Sequence, residues 1–184
     1  MSEVNLLPEP KFVPELHPTF RPAVLANRAF EAAARDSGAA VETGIALEQA
    51  DGSVFHTRTV LFAEGHALAK NNFRHLERLV KFLLWQRGGW RIHLCGAESY
   101  VVRLQDYYQT NVFGKFDDDV IGVKNNGRAI EVIACDSLPT ENIQSRPIGR
   151  NLDGCRIGFD LGGSDRKAAA VIDGEVKFSE EIVW

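Results

Sequence analysis

The chain has 184 residues, of which 45% are hydrophobic and 25% charged, and its net charge is −4 at pH 7. A chain of this length and composition can bury a sizeable core as one domain, or as one domain with a further piece. The negative charge gives no electrostatic support for binding to nucleic acid or to a membrane surface. No apolar run is long enough to span a bilayer, and the acidic, proline-rich N-terminus lacks the basic start of a signal peptide.

The larger, N-terminal part of the chain begins with an arm that is predicted to be irregular. Four prolines lie within residues 1–20 and disfavour regular structure there. From 22 to 37 the apolar spacing indicates a helix, which Gly38 ends. The strand-like runs on either side of Asp51-Gly52 predict a hairpin within residues 44–62.

A longer alternation of helices and strands follows the hairpin. The clearest helix is predicted at 67–87, where five apolar side chains share one face: Leu76, Leu79, Val80, Leu83 and Leu84. The next elements are predicted in this order: strand 90–95, helix 97–108, strand 120–123 and strand 129–135. This alternation favours a layered α/β domain over residues 21–135.

Charged residues within this domain give no firm site. The three aspartates at 117–119 are adjacent, so their carboxylates diverge, and we expect a solvated turn. Four basic residues lie along one face of the long helix, which we expect to be a solvent face: Lys70, Arg74, Arg78 and Lys81. His75 shares that face, and we expect it to be exposed.

The three cysteines, Cys95, Cys135 and Cys155, are far apart in the sequence and odd in number. This spacing argues against a disulfide framework and against a Cys-x-x-Cys metal site. The sequence therefore predicts a reducing, cytoplasmic setting.

The last part of the chain is set off by a change in composition. Residues 136–154 are polar, with two prolines and two glycines, and we interpret them as a linker. Three strands are predicted after it, at 155–160, 167–172 and 175–184, the last two joined by a turn at Asp173-Gly174.

The connection between the first two of these strands carries the strongest functional signal. Asp160-Leu161-Gly162-Gly163-Ser164 ends one strand and leads into the next. We expect the glycines to allow positive φ and close approach of a ligand, the successive backbone N–H groups to form an anion nest, and the Ser164 hydroxyl to donate. Asp160 suits such a site only if a cation such as Mg²⁺ lies between it and the phosphate. The pattern matches neither a Walker A loop nor a dinucleotide fingerprint, and an ordinary Gly-Gly hairpin with a solvated Asp160 is the competing interpretation.

The stretch from Cys155 onward resembles the first phosphate-binding segment of the sugar kinase, heat-shock chaperone and actin ATPase superfamily. It is most similar to the ROK family (repressors, uncharacterised frames and sugar kinases), which carries a strand, Asp-x-Gly-Gly-Thr and a second strand. The resemblance implies that Asp160 helps to hold Mg²⁺-ATP and that Gly162, Gly163 and Ser164 lie against the phosphates. The family often has Lys directly after the Thr, whereas this chain has Asp165 there and Lys167 two positions later. Lys167 is therefore either a phosphate ligand or simply the start of a strand.

The resemblance also implies a fold and a function for the chain. Residues 155–184 would be the opening hairpins of an actin-like, ribonuclease-H-like ATPase domain, and three strands cannot bury both faces alone, so we expect a longer protein. The implied activity is ATP-dependent phosphorylation of a sugar, with Mg²⁺ and ATP as cofactors. The family's catalytic aspartate, sugar-binding residues and zinc site have no counterpart among these residues. The alternatives are a ROK-type regulator or ligand-binding protein without kinase activity, and an independent α/β binding domain fused to a remnant hairpin.

Overall fold

A computed structural model describes residues 5–143 and 153–184 of a mixed α/β chain. The chain divides into two units, Met1–Gln144 and Ser145–Trp184, and each unit contains one sheet. The central part of the predicted linker, 144–152, lies outside the described residues. The described parts of that linker contain neither helix nor strand.

The first unit is built around a four-stranded sheet covered by helices. The main elements are α1 (Ala23–Asp36), β1 (Ala40–Glu48), β2 (Val54–Phe62), α2 (Asn72–Arg87), β3 (Arg91–Cys95), α3 (Val101–Thr110), α4 (Val112–Asp117) and β4 (Glu131–Ala134). Short 3-10 turns precede α2 and α3, and a π-helix at Asp118–Asn125 follows α4. The strand order is β2-β1-β3-β4, in which β3 and β4 are parallel and the other neighbours are antiparallel.

The local signals that predicted this unit are confirmed for most elements. The arm has no helix or strand over its described residues, 5–20. The predicted helices at 22–37 and 67–87 are present as α1 and as α2 with its preceding 3-10 turn. Gly52 adopts a φ of 84° in the β1–β2 turn, a backbone conformation that glycine enters without a steric penalty.

The main core lies between α2 and the sheet. The apolar face of α2 packs against the central strands β1 and β3 and against α3, through Leu76, Val80, Leu84, Ile45, Leu47, Ile92, Leu94 and Leu104, all of which are buried. A second cluster joins α1 to β2 through Phe30, Ala34, Val60 and Phe62. Because α1 and α2 both pack on the sheet, side chains at their contact with β2 are removed from water.

The strand predicted at 120–123 is wrong, because these residues belong to the π-helix. A four-residue apolar run does not distinguish a strand from a buried helical segment. Two neighbouring parallel strands need a crossover connection, and α3, α4 and the π-helix provide it between β3 and β4. Ile121 enters the core from this connection.

The solvated turn predicted at 117–119 is also wrong, because Asp117 ends α4 and Asp118 and Asp119 begin the π-helix. The Asp117 side chain is fully buried. Its carboxylate accepts bonds from Lys81 Nζ, at 2.7 and 2.9 Å, and from Trp85 Nε1, at 2.9 Å. Consecutive helical residues point in different directions, so one aspartate faces inward while Asp119 forms an exposed pair with Lys124. Lys81 is therefore an ion-pair partner of α4 and not part of a free solvent face.

The prediction that the cysteines form no disulfide framework is wrong, because Cys95 and Cys135 are bonded to each other. Cys95 ends β3 and Cys135 directly follows β4, and the register of these parallel strands pairs Leu94 with Ala134 immediately before them. The counting argument missed the bond because its two cysteines are 40 residues apart and only strand pairing brings them together. Cys155 is an exposed free thiol.

The second unit is a three-stranded antiparallel sheet, with β5 (Cys155–Leu161), β6 (Asp165–Ile172) and β7 (Glu175–Val183) in the order β5-β6-β7. All three predicted strands are present. The predicted turn between β6 and β7 is confirmed too, with positive φ at Asp173 and Gly174, 48° and 83°. The side chain of Asp173 accepts a bond of 2.7 Å from the Gly154 N–H.

No helix among the described residues is long and apolar enough to cross a membrane.

The disulfide predicts how many thiols react before and after reduction. When chain purified without reductant is unfolded in denaturant and treated with iodoacetamide, it should gain one adduct, at Cys155, because the other two sulfurs are bonded to each other. Reduction before alkylation should raise the count to three. Mass spectrometry of the Cys155→Ser variant provides the control and should show no adduct before reduction. Three adducts without reduction would contradict the Cys95–Cys135 bond.

Candidate functional site

The turn that joins β5 to β6 brings together the residues that the sequence predicts to bind phosphate. β5 ends at Leu161 and β6 begins at Asp165, so the connection is Gly162-Gly163-Ser164. Asp160 is the second-last residue of β5 and lies directly opposite Lys167 of β6. Side chains directly opposite each other in an antiparallel pair lie on the same face, so both point to one side of the sheet.

The glycines serve the turn differently from the sequence expectation. Neither Gly162 nor Gly163 has a positive φ, so the prediction of left-handed backbone at these two residues is wrong. Gly162 has little room for a side chain, since an added Cβ would lie 2.9 Å from Asp165 Oδ1 and 3.2 Å from the Asp165 carbonyl oxygen, and Asp165 would have to shift. An added Cβ on Gly163 would meet nothing within 4 Å. The backbone at Gly163 is therefore open to a ligand.

Hydrogen bonds hold the turn by its carbonyl groups. The Gly162 N–H donates to the Asp165 carbonyl at 2.9 Å, and the Trp184 N–H donates to the Ser164 carbonyl at 3.1 Å. The Trp184 indole N–H donates to the Gly163 carbonyl at 3.4 Å. Among the described residues, the N–H groups of Gly163 and Ser164 have no acceptor. Two successive donors are thus available to an anion.

Some charged side chains near the turn are paired and others are not. Lys167 Nζ lies 3.3 Å from Asp165 Oδ2 and 3.6 Å from Glu181 Oε1, so two carboxylates already balance its charge. Asp160 is exposed and forms no ion pair with any described residue. Asp160 is therefore unpaired on the face that it shares with Lys167, and Arg166, the next residue of β6 and opposite Leu161, is also without an ion pair among the described residues.

The carboxylates at the turn are those of Asp160 and Asp165, and Asp165 is paired with Lys167. Within residues 5–143 and 153–184, no group of three or more His, Cys, Asp or Glu side chains is placed to hold a metal ion. Mg²⁺ is commonly bound by one or two carboxylates with substrate phosphates and water completing the coordination. A single exposed carboxylate beside two backbone N–H groups without acceptors is compatible with that mode of binding.

A second polar site lies in the first unit, where the sequence analysis expected none. His75 was expected to be exposed, but only 7% of it is accessible. Its ring stacks on Phe30, with centroids 4.0 Å apart, because α1 packs over this part of α2. His75 Nε2 lies 3.0 Å from Thr59 Oγ1, and Thr59 Oγ1 donates to Glu31 Oε1 at 2.8 Å.

This chain of hydrogen bonds fixes the state of His75. Thr59 has one hydroxyl hydrogen, which it donates to Glu31, so it must accept from His75 Nε2–H. Nδ1 of the neutral ring is then the acceptor nitrogen. Burial lowers the pKa of His75 from 6.5 to about 4, because the charged form would lose its hydration. The ring is therefore neutral at physiological pH.

Sequence reasoning missed Trp184, Thr59 and Glu31 because their partners are distant in the chain. Trp184 was read only as a strand residue, although its two N–H groups brace the turn. Thr59 and Glu31 belong to different elements, and no local spacing relates either of them to His75. The period of α2 could have located His75, since it lies one position before the buried Leu76, at the border of the apolar face.

Comparison with family models, with curated proteins and with solved structures gives no match. The likeness of residues 155–184 to the ROK family therefore rests on the Asp160–Ser164 pattern between two strands. The geometry of the turn does not depend on that likeness.

The lowered pKa of His75 predicts a specific loss of stability in mild acid. The folded state keeps the ring neutral, whereas the unfolded chain binds a proton below about pH 6.5, so stability falls as pH drops from 6.5 towards 4. Between pH 7.5 and 5 this group should cost about 2 kcal/mol of unfolding free energy. In His75→Gln, the unfolding free energy from urea curves should fall by about 2 kcal/mol less between pH 7.5 and 5 than in the parent chain. His17→Gln, in the exposed arm, is the control and should keep the parent's pH dependence. If His75→Gln also kept it, a neutral, buried His75 would be contradicted.

Proposed function

We propose that the chain is part of an ATP-dependent phosphotransferase acting on a sugar, of ROK type, and that the Asp160–Ser164 turn contacts the phosphates of Mg²⁺-ATP. The observation that carries the proposal is the pair of successive backbone N–H groups, at Gly163 and Ser164, with no acceptor among the described residues. Backbone donors of this kind form a concave site for an anion.

The turn is suited to phosphate because its backbone is braced before a ligand arrives. The Trp184 indole bond to the Gly163 carbonyl constrains the peptide group that carries the Ser164 N–H, and the Gly162–Asp165 bond constrains the turn on the other side of Gly163. Fixed donors need little reorganisation when they meet an anion. The space beside Gly163 allows a phosphate oxygen to approach the main chain, and the Ser164 hydroxyl adds a third donor.

Asp160 supports a metal-bound phosphate in preference to a bare one. An unpaired carboxylate beside a phosphate is repelled unless a cation lies between them. Lys167, on the same face, is occupied by Asp165 and Glu181 and does not offset this repulsion. Mg²⁺ would be held by Asp160 and by phosphate oxygens, directly or through water, and would neutralise the charge of the triphosphate.

In the proposed reaction, a sugar hydroxyl oxygen forms a bond to the γ-phosphorus of ATP while the bond from that phosphorus to the β,γ-bridging oxygen breaks. The products are a sugar phosphate and ADP, and the hydroxyl proton passes to a base. The turn positions the phosphates and balances charge, which is most of what a protein contributes to phosphoryl transfer. It offers neither a base placed for the hydroxyl nor a contact for the sugar. We therefore expect the 184-residue chain to bind nucleotide weakly and to show no sugar-dependent turnover.

The proposal implies a cytoplasmic location, since Mg²⁺-ATP is an intracellular substrate. The Cys95–Cys135 bond is unusual for such a compartment, where thiols are kept reduced. If the protein is cytoplasmic, chain alkylated directly in cells should show three free thiols, whereas one free thiol would oppose that location.

Gly163→Ala tests the open backbone of the turn. Its Cβ would meet nothing within 4 Å, so the melting temperature should stay close to that of the parent chain. The methyl group would stand where a phosphate oxygen approaches, and losing one hydrogen bond to a charged ligand should weaken Mg²⁺-ATP binding about tenfold or more. Isothermal titration with Mg²⁺-ATP and with Mg²⁺-tripolyphosphate measures this effect.

Gly158→Ala is the matched control, because Gly158 lies in the same sheet and its added Cβ would also meet nothing within 4 Å. It should leave both affinities unchanged. Tripolyphosphate should bind nearly as well as ATP, and adenosine should not bind. Equal affinities in Gly163→Ala and Gly158→Ala, or sugar-dependent turnover by the 184-residue chain itself, would overturn the proposal.

A further inference from the structure

A cavity of about 390 Å³ lies in the first unit between the N-terminal arm, α1 and the start of α2. Leu6 lines it from the arm, Arg21 from the residues that join the arm to α1, and Asn27 and Phe30 from α1, and residues of α2 close the remaining side. This volume is near the lower end of the range for small-molecule sites, roughly 300–1,000 Å³. The cavity therefore suits a molecule of monosaccharide size, and its walls offer both apolar and polar contacts.

The charge of the cavity comes from two arginines of α2. Arg74 and Arg78 are four residues apart, so their side chains lie next to each other on the helix. Both line the cavity, and neither forms an ion pair with any residue in the described ranges. Arg21 is already used by the arm, because it bonds Glu9 at 2.8 Å and the Pro18 and Phe20 carbonyls. The unbalanced charge that faces the cavity is thus that of two guanidinium groups.

His75 adds an acceptor to this set of donors. Its Nε2–H is committed to Thr59, so the unprotonated Nδ1 is the ring nitrogen that remains free for another bond. Nδ1 has no partner among the described residues, and His75 lines the cavity. A ligand that binds here can therefore place an anionic group on the arginines and a hydroxyl group on His75.

We propose that this cavity binds a small hydroxylated phosphate ester of the sugar phosphate type, with the phosphate on Arg74 and Arg78 and a hydroxyl donating to His75 Nδ1. A phosphate monoester carries nearly two negative charges at pH 7, which matches two guanidinium groups. Planar guanidinium groups also bind phosphate oxygens in bidentate fashion. A monocarboxylate would leave one of the two arginines uncompensated.

The inference does not depend on the Asp160–Ser164 turn. Every residue that carries it belongs to the first unit, so the kinase proposal and this one can fail separately. Glu31 is not among the residues that line the cavity, and its carboxylate accepts the Thr59 hydroxyl bond. The acid therefore orients His75 through Thr59.

The test is isothermal titration of the 184-residue chain with glucose 6-phosphate, inorganic phosphate and glucose. Glucose 6-phosphate should give a saturable heat with one site. Inorganic phosphate should bind about tenfold more weakly, because it lacks the sugar hydroxyl group that bonds Nδ1 while the phosphate contacts the arginines. Glucose should give no heat, since it lacks the anion. No saturable binding of glucose 6-phosphate at millimolar concentration would overturn the proposal.

Variants separate this site from a general effect of charge. Arg74→Gln and Arg78→Gln should each weaken glucose 6-phosphate binding by about tenfold or more. Arg58→Gln, an exposed position on β2 outside the cavity, removes the same charge and should leave binding unchanged. His75→Phe keeps a flat ring against Phe30 and should bring the affinity for glucose 6-phosphate down to that for inorganic phosphate. Equal losses in Arg58→Gln and Arg78→Gln would contradict the site.

Discussion

The parallel pairing of β3 with β4 is the constraint that organises the first unit. β4 can run beside β3 in the same direction only because α3, α4 and the π-helix carry the chain back across the sheet. Gln105 of α3 fixes this crossover to β4, accepting from the Val132 N–H at 2.8 Å and donating to the Ile130 carbonyl at 3.1 Å. The crossover brings Asp117 to Lys81 of α2, and the pairing itself brings Cys95 to Cys135.

Local sequence patterns were sufficient to predict helices with one apolar face and strands joined by a characteristic turn sequence. The i, i+3, i+4 spacing of α2 and the Asp51-Gly52 turn are local signals, so both are readable without tertiary knowledge. The helical structure around Val120 and the burial of Asp117 could not be predicted, because each depends on which residues the crossover contacts in the folded chain. The Cys95–Cys135 bond has the same origin, since residues distant in sequence meet only through strand order.

The candidate sites divide in a similar way. Asp160, Gly163 and Ser164 could be singled out because a short glycine turn between strands is visible in the sequence. The physical reason for Gly162 was different from the expected one, being the space taken by Asp165 and not a positive φ. The brace from Trp184 and the bonds from His75 through Thr59 to Glu31 join distant elements. No spacing rule could have found them.

The central claim is that the Gly163 and Ser164 N–H groups receive the phosphates of Mg²⁺-ATP beside Asp160. The most direct measurement is a ¹⁵N–¹H NMR titration of the chain in which these two amide signals are followed. The account predicts that Mg²⁺-ATP shifts both signals, that adenosine shifts neither, and that Asp160→Asn weakens the response while Glu180→Gln, on the opposite face of the sheet, does not. Unchanged Gly163 and Ser164 signals at saturating Mg²⁺-ATP, or an identical response in Asp160→Asn, would contradict it.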